Sequence, residues 1–193
     1  MNLANCVTLS RVPLLFMIVL LMYFDFPGSA SLSIVLFIFC GVTDWLDGHL
    51  ARKYNITSTL GTFMDALMDK IFMLGVMVTL LALNIIPPWT LFLILLVIGR
   101  EFLITTLRLV AATQNVIIAA NFSGKLKTVL QIVATGIMIL WFALTRDFGR
   151  WLKPHYISWI YYGGLLLFLY SVYLTISSGV YYAIKHRDLF KDC

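Results

Sequence analysis

Apolar runs of about 17 to 25 residues recur along the chain, each long enough to cross a hydrocarbon core of roughly 30 Å as an α-helix. No alternating ten-residue pattern of a β-barrel competes with them. VPLLFMIVLLMYF from Val12 to Phe24 begins the first span, after an N-terminal MNLANCVTLSR that is polar enough to lie at an interface. DFPGSAS breaks it, and further spans are predicted over about Ser31–Leu46, Thr59–Leu83, Trp89–Ala112, Lys125–Leu144 and Trp159–Ala183. Arg11, the short first run and Gly28, Ser29 and Ala30 imitate a signal peptide, but five more spans and sparse charge ahead of the run argue for a retained helix. The pattern predicts one all-α domain over residues 1–193: a polytopic membrane protein with six transmembrane helices, without repeats or a soluble second domain.

Composition supports that class. The 193 residues are 61% hydrophobic and 12% charged, with a mean hydropathy of +0.94, beyond the apolar share of a soluble domain. A net charge of +5 would suggest nucleic acid for a soluble protein; here basic residues held on the cytoplasmic side explain it, and no aromatic-basic interleaving argues for nucleic acid. Arg11, Arg52, Lys53, Lys125, Lys127, Lys185, Arg187 and Lys191 fall inside when six spans place both termini in the cytoplasm. Arg146, Arg150 and Lys153, in the outer loop TRDFGRWLKPHYIS, oppose the rule but are outnumbered. Cys6, Cys40 and Cys193 are too dispersed for a zinc knuckle or redox pair, and His49, His155 and His186 lack metal-ligand spacing.

The stretch DWLDGHLARKYNITSTLGTFMDALMDK stands out against this apolar background. It holds four of the nine acidic residues. Asp44 and Asp47 are three apart and Asp65 and Asp69 four apart, so each pair projects from one face of a helix near the cytoplasmic side. Convergent carboxylates in a low dielectric repel unless cations neutralise them. Oxygen ligands without nearby His or Cys suit Mg²⁺ or Mn²⁺, and two divalent ions balance four charges and can clamp a phosphate displacement. Gly48, Ala51 and Gly61 allow close approach to the helix backbones, and Arg52 offers a fork for phosphate oxygens. Taken singly, small residues also serve helix packing and a terminal Arg also snorkels.

The complete pattern is more specific: Asp44, two residues, Asp47, Gly48, two residues, Ala51, Arg52, eight residues, Gly61, three residues, Asp65, three residues, Asp69. It resembles the signature of the CDP-alcohol phosphotransferase family, membrane enzymes with six transmembrane helices. The resemblance implies that Asp44, Asp47, Asp65 and Asp69 bind two Mg²⁺ ions, Mn²⁺ being the alternative, and that Gly48, Ala51, Arg52 and Gly61 hold the CDP moiety. It also implies that Asp69 is the general base, that the donor is a CDP-linked lipid, and that the enzyme is a homodimer. The expected setting is a bacterial cytoplasmic membrane, with the active site toward the cytoplasm.

Asn5, Thr8 and Arg11, with the stretches GREFLITTLR and SGKLKT, resemble the phosphatidylglycerophosphate synthase branch of that family. That branch uses CDP-diacylglycerol and sn-glycerol 3-phosphate. Asn5, Thr8 and Arg11 are then candidates for the nucleotide or the interface, and Arg100, Arg108, Lys125 and Lys127 for the acceptor phosphate. The bland reading assigns Arg100 and Glu101 to a structural charge network, Arg108 to snorkelling and the lysines to the positive-inside rule. Lys70 is expected to snorkel or to pair with a carboxylate. One position departs: the branch commonly reads Asp-Pro where this chain has Asp65-Ala66, which keeps both carboxylates on one helical face. Inositol phosphate, serine or phosphatidylglycerol are alternative acceptors. A divalent-cation transporter is the alternative of another class, in which Gly48, Ala51, Arg52 and Gly61 have no evident task.

Overall fold

A computed structural model of the chain describes residues 3–53, 59–113, 122–149 and 153–185, and the side chains of 10–44, 67–106, 126–149 and 153–182. Six α-helices run in order: α1 (Leu3–Tyr23), α2 (Ser29–Lys53), α3 (Thr59–Ala82), α4 (Thr90–Thr113), α5 (Phe122–Asp147) and α6 (Pro154–Lys185). No strand occurs among the described residues. Four of the elements, α1, α2, α5 and α6, outrun the spans expected from apolarity. α2 continues past Leu46 to Lys53, because charge ends a hydrophobic run without ending a helix. α6 starts at Pro154 rather than Trp159, proline being favoured at the first helical position.

The helices close into a ring. α1 packs on α2 and α3, α2 on α5, α5 on α6, α6 on α4 and α4 on α3, while α3 also reaches α5. Gly75 lets Leu15 of α1 lie against α3, since a Cβ there would come within 2.6 Å of the leucine methyl. Ile18, Val76, Met77, Ile94, Met138 and Ile139 fill the centre and are fully buried.

The outer surface is as apolar as the interior, unlike that of a water-soluble bundle. Phe92 is 71% exposed and Trp159 and Leu166 each 67%, whereas Ser33, Thr90, Thr135 and Thr175 are buried. The buried hydroxyls bond locally, Thr175 Oγ1 donating to the Ser171 carbonyl and Ser33 Oγ to that of Ala30, which satisfies them without water. Two stretches, Leu126–Asp147 and Pro154–Tyr182, are long and apolar enough to cross a membrane, and Ser10–Tyr23 and Ser29–Asp44 are shorter apolar helices. Asp65, Asp69 and Lys70 in α3 and Arg100, Glu101 and Arg108 in α4 shorten the apolar runs of the other two helices.

The connections at one end are tightly specified. α3 ends in a Schellman motif: Asn84 takes a left-handed φ of 54°, its N–H bonds to Leu81, and the Ile85 N–H reaches back to Leu80 at 2.9 Å. At the α1–α2 turn, Arg146 donates to the carbonyls of Met22 and Phe24 and to Asp25. Asp147 accepts from the Gly28 and Ser31 N–H groups that open α2. Arg146, one of the three basic residues that opposed the positive-inside expectation, is thus held by main-chain acceptors and a carboxylate.

Candidate active site

α2 runs away from the α1–α2 turn, and Asp44 lies fifteen residues along it, about 22 Å from the start at helical rise. α3 returns in the opposite direction, and Asp69 lies ten residues into it. α1 brings Arg11 to the same level. Arg11 is buried and forms an ion pair with Asp44, whose side chain stays 43% exposed.

Asp44, Asp69 and Arg11 share one cavity of about 440 Å³ enclosed by α1, α2, α3 and α5. Below the polar mouth its walls are apolar. Cys40 stands one turn beneath Asp44, and Phe37 stacks on Phe72 with ring centroids 5.9 Å apart. Ile132, Val133 and Gly136 form the α5 wall. A Cβ on Gly136 would stand 3.3 Å from the Phe37 ring, so the absence of a side chain there keeps the lower cavity open. Charged groups at the mouth and hydrocarbon below match a ligand with a polar head and an apolar tail.

The sequence motif maps onto two helices. Asp47, Gly48, Ala51 and Arg52 continue along α2 beyond Asp44, and Gly61 and Asp65 precede Asp69 on α3. Their side chains lie outside the described residues, as do those of Asn5 and Thr8 on α1, Arg108 on α4 and Lys125 on α5. Among the described residues no three His, Cys, Asp or Glu gather as a metal-binding group. One aspartate of each pair is therefore placed at the cavity. The pairing of Arg11 with Asp44 was not foreseen; no local spacing links positions 11 and 44.

A second polar cluster begins one residue past Asp69. Lys70 turns toward α4 and donates to Thr105 Oγ1, which itself donates to the Glu101 carbonyl at 2.7 Å. Glu101 Oε1 accepts from Arg100 Nη1 at 3.1 Å and from Lys127 of α5. Arg100 Nη2 donates to Ser178 Oγ of α6 at 3.0 Å. Arg100 and Lys127, two of the four acceptor-phosphate candidates, are thus brought together through Glu101. Sequence reasoning paired Glu101 with Arg100 only; three charged positions inside apolar helices were the signal for more. His155 accepts from Trp159 Nε1 at the exposed start of α6, far in sequence from either cluster.

The chain matches the CDP-alcohol phosphatidyltransferase family over residues 1–175. It belongs to that family. It is therefore an enzyme of the CDP-alcohol phosphatidyltransferase type, and the lipid-like outer surface accords with a membrane enzyme. Three relatives named CDP-diacylglycerol--glycerol-3-phosphate 3-phosphatidyltransferase are similar to it. The Bacillus subtilis protein is 38% identical over 151 residues, 72% of this chain and 77% of the relative. The Wigglesworthia glossinidia brevipalpis protein is 31% identical over 100% of this chain and 99% of its own length. The Rickettsia bellii protein is 30% identical over 100% and 95% respectively.

Proposed function

We propose that this enzyme transfers the phosphatidyl group of CDP-diacylglycerol to sn-glycerol 3-phosphate, giving phosphatidylglycerophosphate and CMP. The observation that carries the reading is the shared cavity, which has Asp44, Asp69 and Arg11 at its mouth and hydrocarbon walls beneath. The names of the similar proteins support the same donor and acceptor.

Asp69 is the general base. It takes the proton from the acceptor hydroxyl as that oxygen attacks the β-phosphorus of the donor, and the bond to the CMP oxygen breaks. Asp44 and Asp69, with Asp47 and Asp65 on the same two helices, would hold two divalent ions. Two oxygen-donor carboxylates facing one cavity suit Mg²⁺, with Mn²⁺ the alternative. Such ions, when bound, neutralise charge on the pyrophosphate and on the departing oxygen. Gly48, Ala51, Arg52 and Gly61 hold the CDP moiety, with Asn5, Thr8 and Arg11 completing the nucleotide side. Arg11 also orients Asp44 through their ion pair. Arg100, Arg108, Lys125 and Lys127 attract the acceptor phosphate. The apolar cavity wall receives part of the donor's acyl region.

Six transmembrane helices, both termini in the cytoplasm, a cytoplasm-facing site in a bacterial inner membrane and a homodimer complete the reading. An acceptor panel tests it. Purified protein given Mg²⁺ and CDP-diacylglycerol should release CMP with sn-glycerol 3-phosphate and not with inositol phosphate, serine or phosphatidylglycerol. Turnover with one of those three, and none with glycerol 3-phosphate, would overturn the acceptor assignment.

A further inference from the structure

The four basic acceptor-phosphate candidates are divided between two helices that are not close packing neighbours. α4, carrying Arg100 and Arg108, lies on α6 and α3; α5, carrying Lys125 and Lys127, lies on α6, α2 and α3. The link between them among the described residues is the Glu101 carboxylate, which joins Arg100 on its own helix to Lys127 on α5. We propose that Glu101 is the positioning residue of the acceptor-phosphate pocket, clamping α4 to α5 so that basic residues on the two helices close on one phosphate monoester. This rests on the phosphorylated-acceptor reading above.

Burial makes the clamp necessary. Lys127 is only 3% exposed, and a buried ammonium beside a guanidinium is unfavourable unless a carboxylate stands between them. Glu101 meets both cations with a single oxygen, and Arg100 is held from the far side by Ser178. Gly179 makes room for that arm, since a Cβ there would come within 2.7 Å of Arg100 Cγ. Thr105 ties Lys70 to the same turn of α4. Lys70, Arg100, Lys127 and Glu101 together carry two net positive charges, which match a phosphate monoester that is near its dianion at neutral pH. Arg108 lies two turns beyond Glu101 along α4, and Lys125 two residues before Lys127 on α5. Fixing the middle of α4 to the start of α5 therefore constrains the separation of Arg108 and Lys125.

The test is a steady-state comparison of wild type with Glu101→Gln and Glu101→Asp, purified in mixed micelles, varying each substrate in turn. Glu101→Gln should raise the KM for glycerol 3-phosphate about tenfold and weaken competitive inhibition by inorganic phosphate by a similar factor, while the donor KM moves less than about twofold. Glu101→Asp, which keeps the charge, should recover most of that loss. An unchanged or lowered acceptor KM in Glu101→Gln would overturn the proposal, the lowered value showing that Glu101 competes with phosphate. So would equal shifts for both substrates. If Glu101→Gln does not fold, Gly179→Ala, whose Cβ displaces the Arg100 arm, is read in its place: a raised acceptor KM supports the clamp, and an unshifted one refutes it. A wild-type enzyme that is active with a non-phosphorylated acceptor only would instead sink the acceptor reading itself.

Discussion

At the α1–α2 turn, Arg146 and Asp147 direct their polar atoms to main-chain groups and to Asp25, whereas at the far end of the same bundle Asp44 and Asp69 face a cavity of about 440 Å³. Both ends place charge at the margin of an apolar helical body. At the first, each described charge has a partner that the fold itself supplies, and the polar atoms replace missing helix-end hydrogen bonds. At the second, two carboxylates from different helices share one cavity, and Asp44 stays 43% exposed beside its Arg11 partner. Charge that completes the backbone holds the fold together; charge that lines a hole is available to a ligand. The two ends should therefore respond oppositely to substitution, one in stability and the other in turnover.

The largest effect is expected at the cavity mouth. Asp69→Asn keeps the volume and removes the carboxylate proposed as the base, and CMP release should fall by about 10³-fold or more, within the range that positioned acid–base groups contribute. The thermal midpoint should hold or rise, because one of two neighbouring carboxylates has been neutralised. A variant that keeps more than a tenth of wild-type turnover would remove Asp69 from the chemistry. One that loses activity together with its fold would make the aspartate end as structural as the turn.

The bundle was legible in the sequence to the extent that its information is periodic or local. The apolar runs marked six helices, and the gap between the spans ending at Leu83 and starting at Trp89 marked the turn where the Schellman motif forms. The spacing of Asp44 and Asp47, and of Asp65 and Asp69, pointed to α2 and α3, and one aspartate of each pair lines the cavity. Helix ends were less legible, because hydropathy stops at Leu46 while hydrogen bonding in α2 continues to Lys53. Contacts across the ring were least legible of all. Nothing near position 11 points to Asp44, nothing near Glu101 points to Lys127, and no local signal shows that Asp147 caps α2 from 116 residues away. These depend on which helices become neighbours, and hydrophobic periodicity does not encode that order.

Between the two ends lies Gly136, where the cavity gives way to the packed core. Gly136→Leu projects a side chain toward Phe37 and into the lower cavity, and the Phe37 ring must give by a few tenths of an ångström to admit its Cβ. The KM for long-chain CDP-diacylglycerol should rise about tenfold, a size within reach of a steric mismatch in an apolar pocket. A short-chain donor should be affected less, and the KM for glycerol 3-phosphate should not move. Equal effects on long and short donors would show that the lower cavity does not receive an acyl chain.

The smallest effect belongs to the turn. Asp147 places its carboxylate at the start of α2, accepting from the Ser31 N–H at 2.7 Å and the Gly28 N–H at 3.3 Å, so it serves as a helix cap supplied by a distant helix. Its negative charge also opposes the positive end of the α2 dipole. Asp147→Ala leaves those donors without that acceptor and should cost about 1 kcal/mol, the usual loss for a cap. That corresponds to a fall of about 2–4 °C in the thermal midpoint for a chain of this size, compared at one scan rate because membrane proteins often unfold irreversibly. Asp147→Asn retains a carbonyl acceptor without the charge and should fall between the two. Turnover at 25 °C should stay within about twofold of wild type for both, since Asp44 is about 22 Å along α2 from the cap. A loss of activity without a lowered midpoint would mean that the turn communicates with the cavity through α2, and the separation between structural and functional charge would fail.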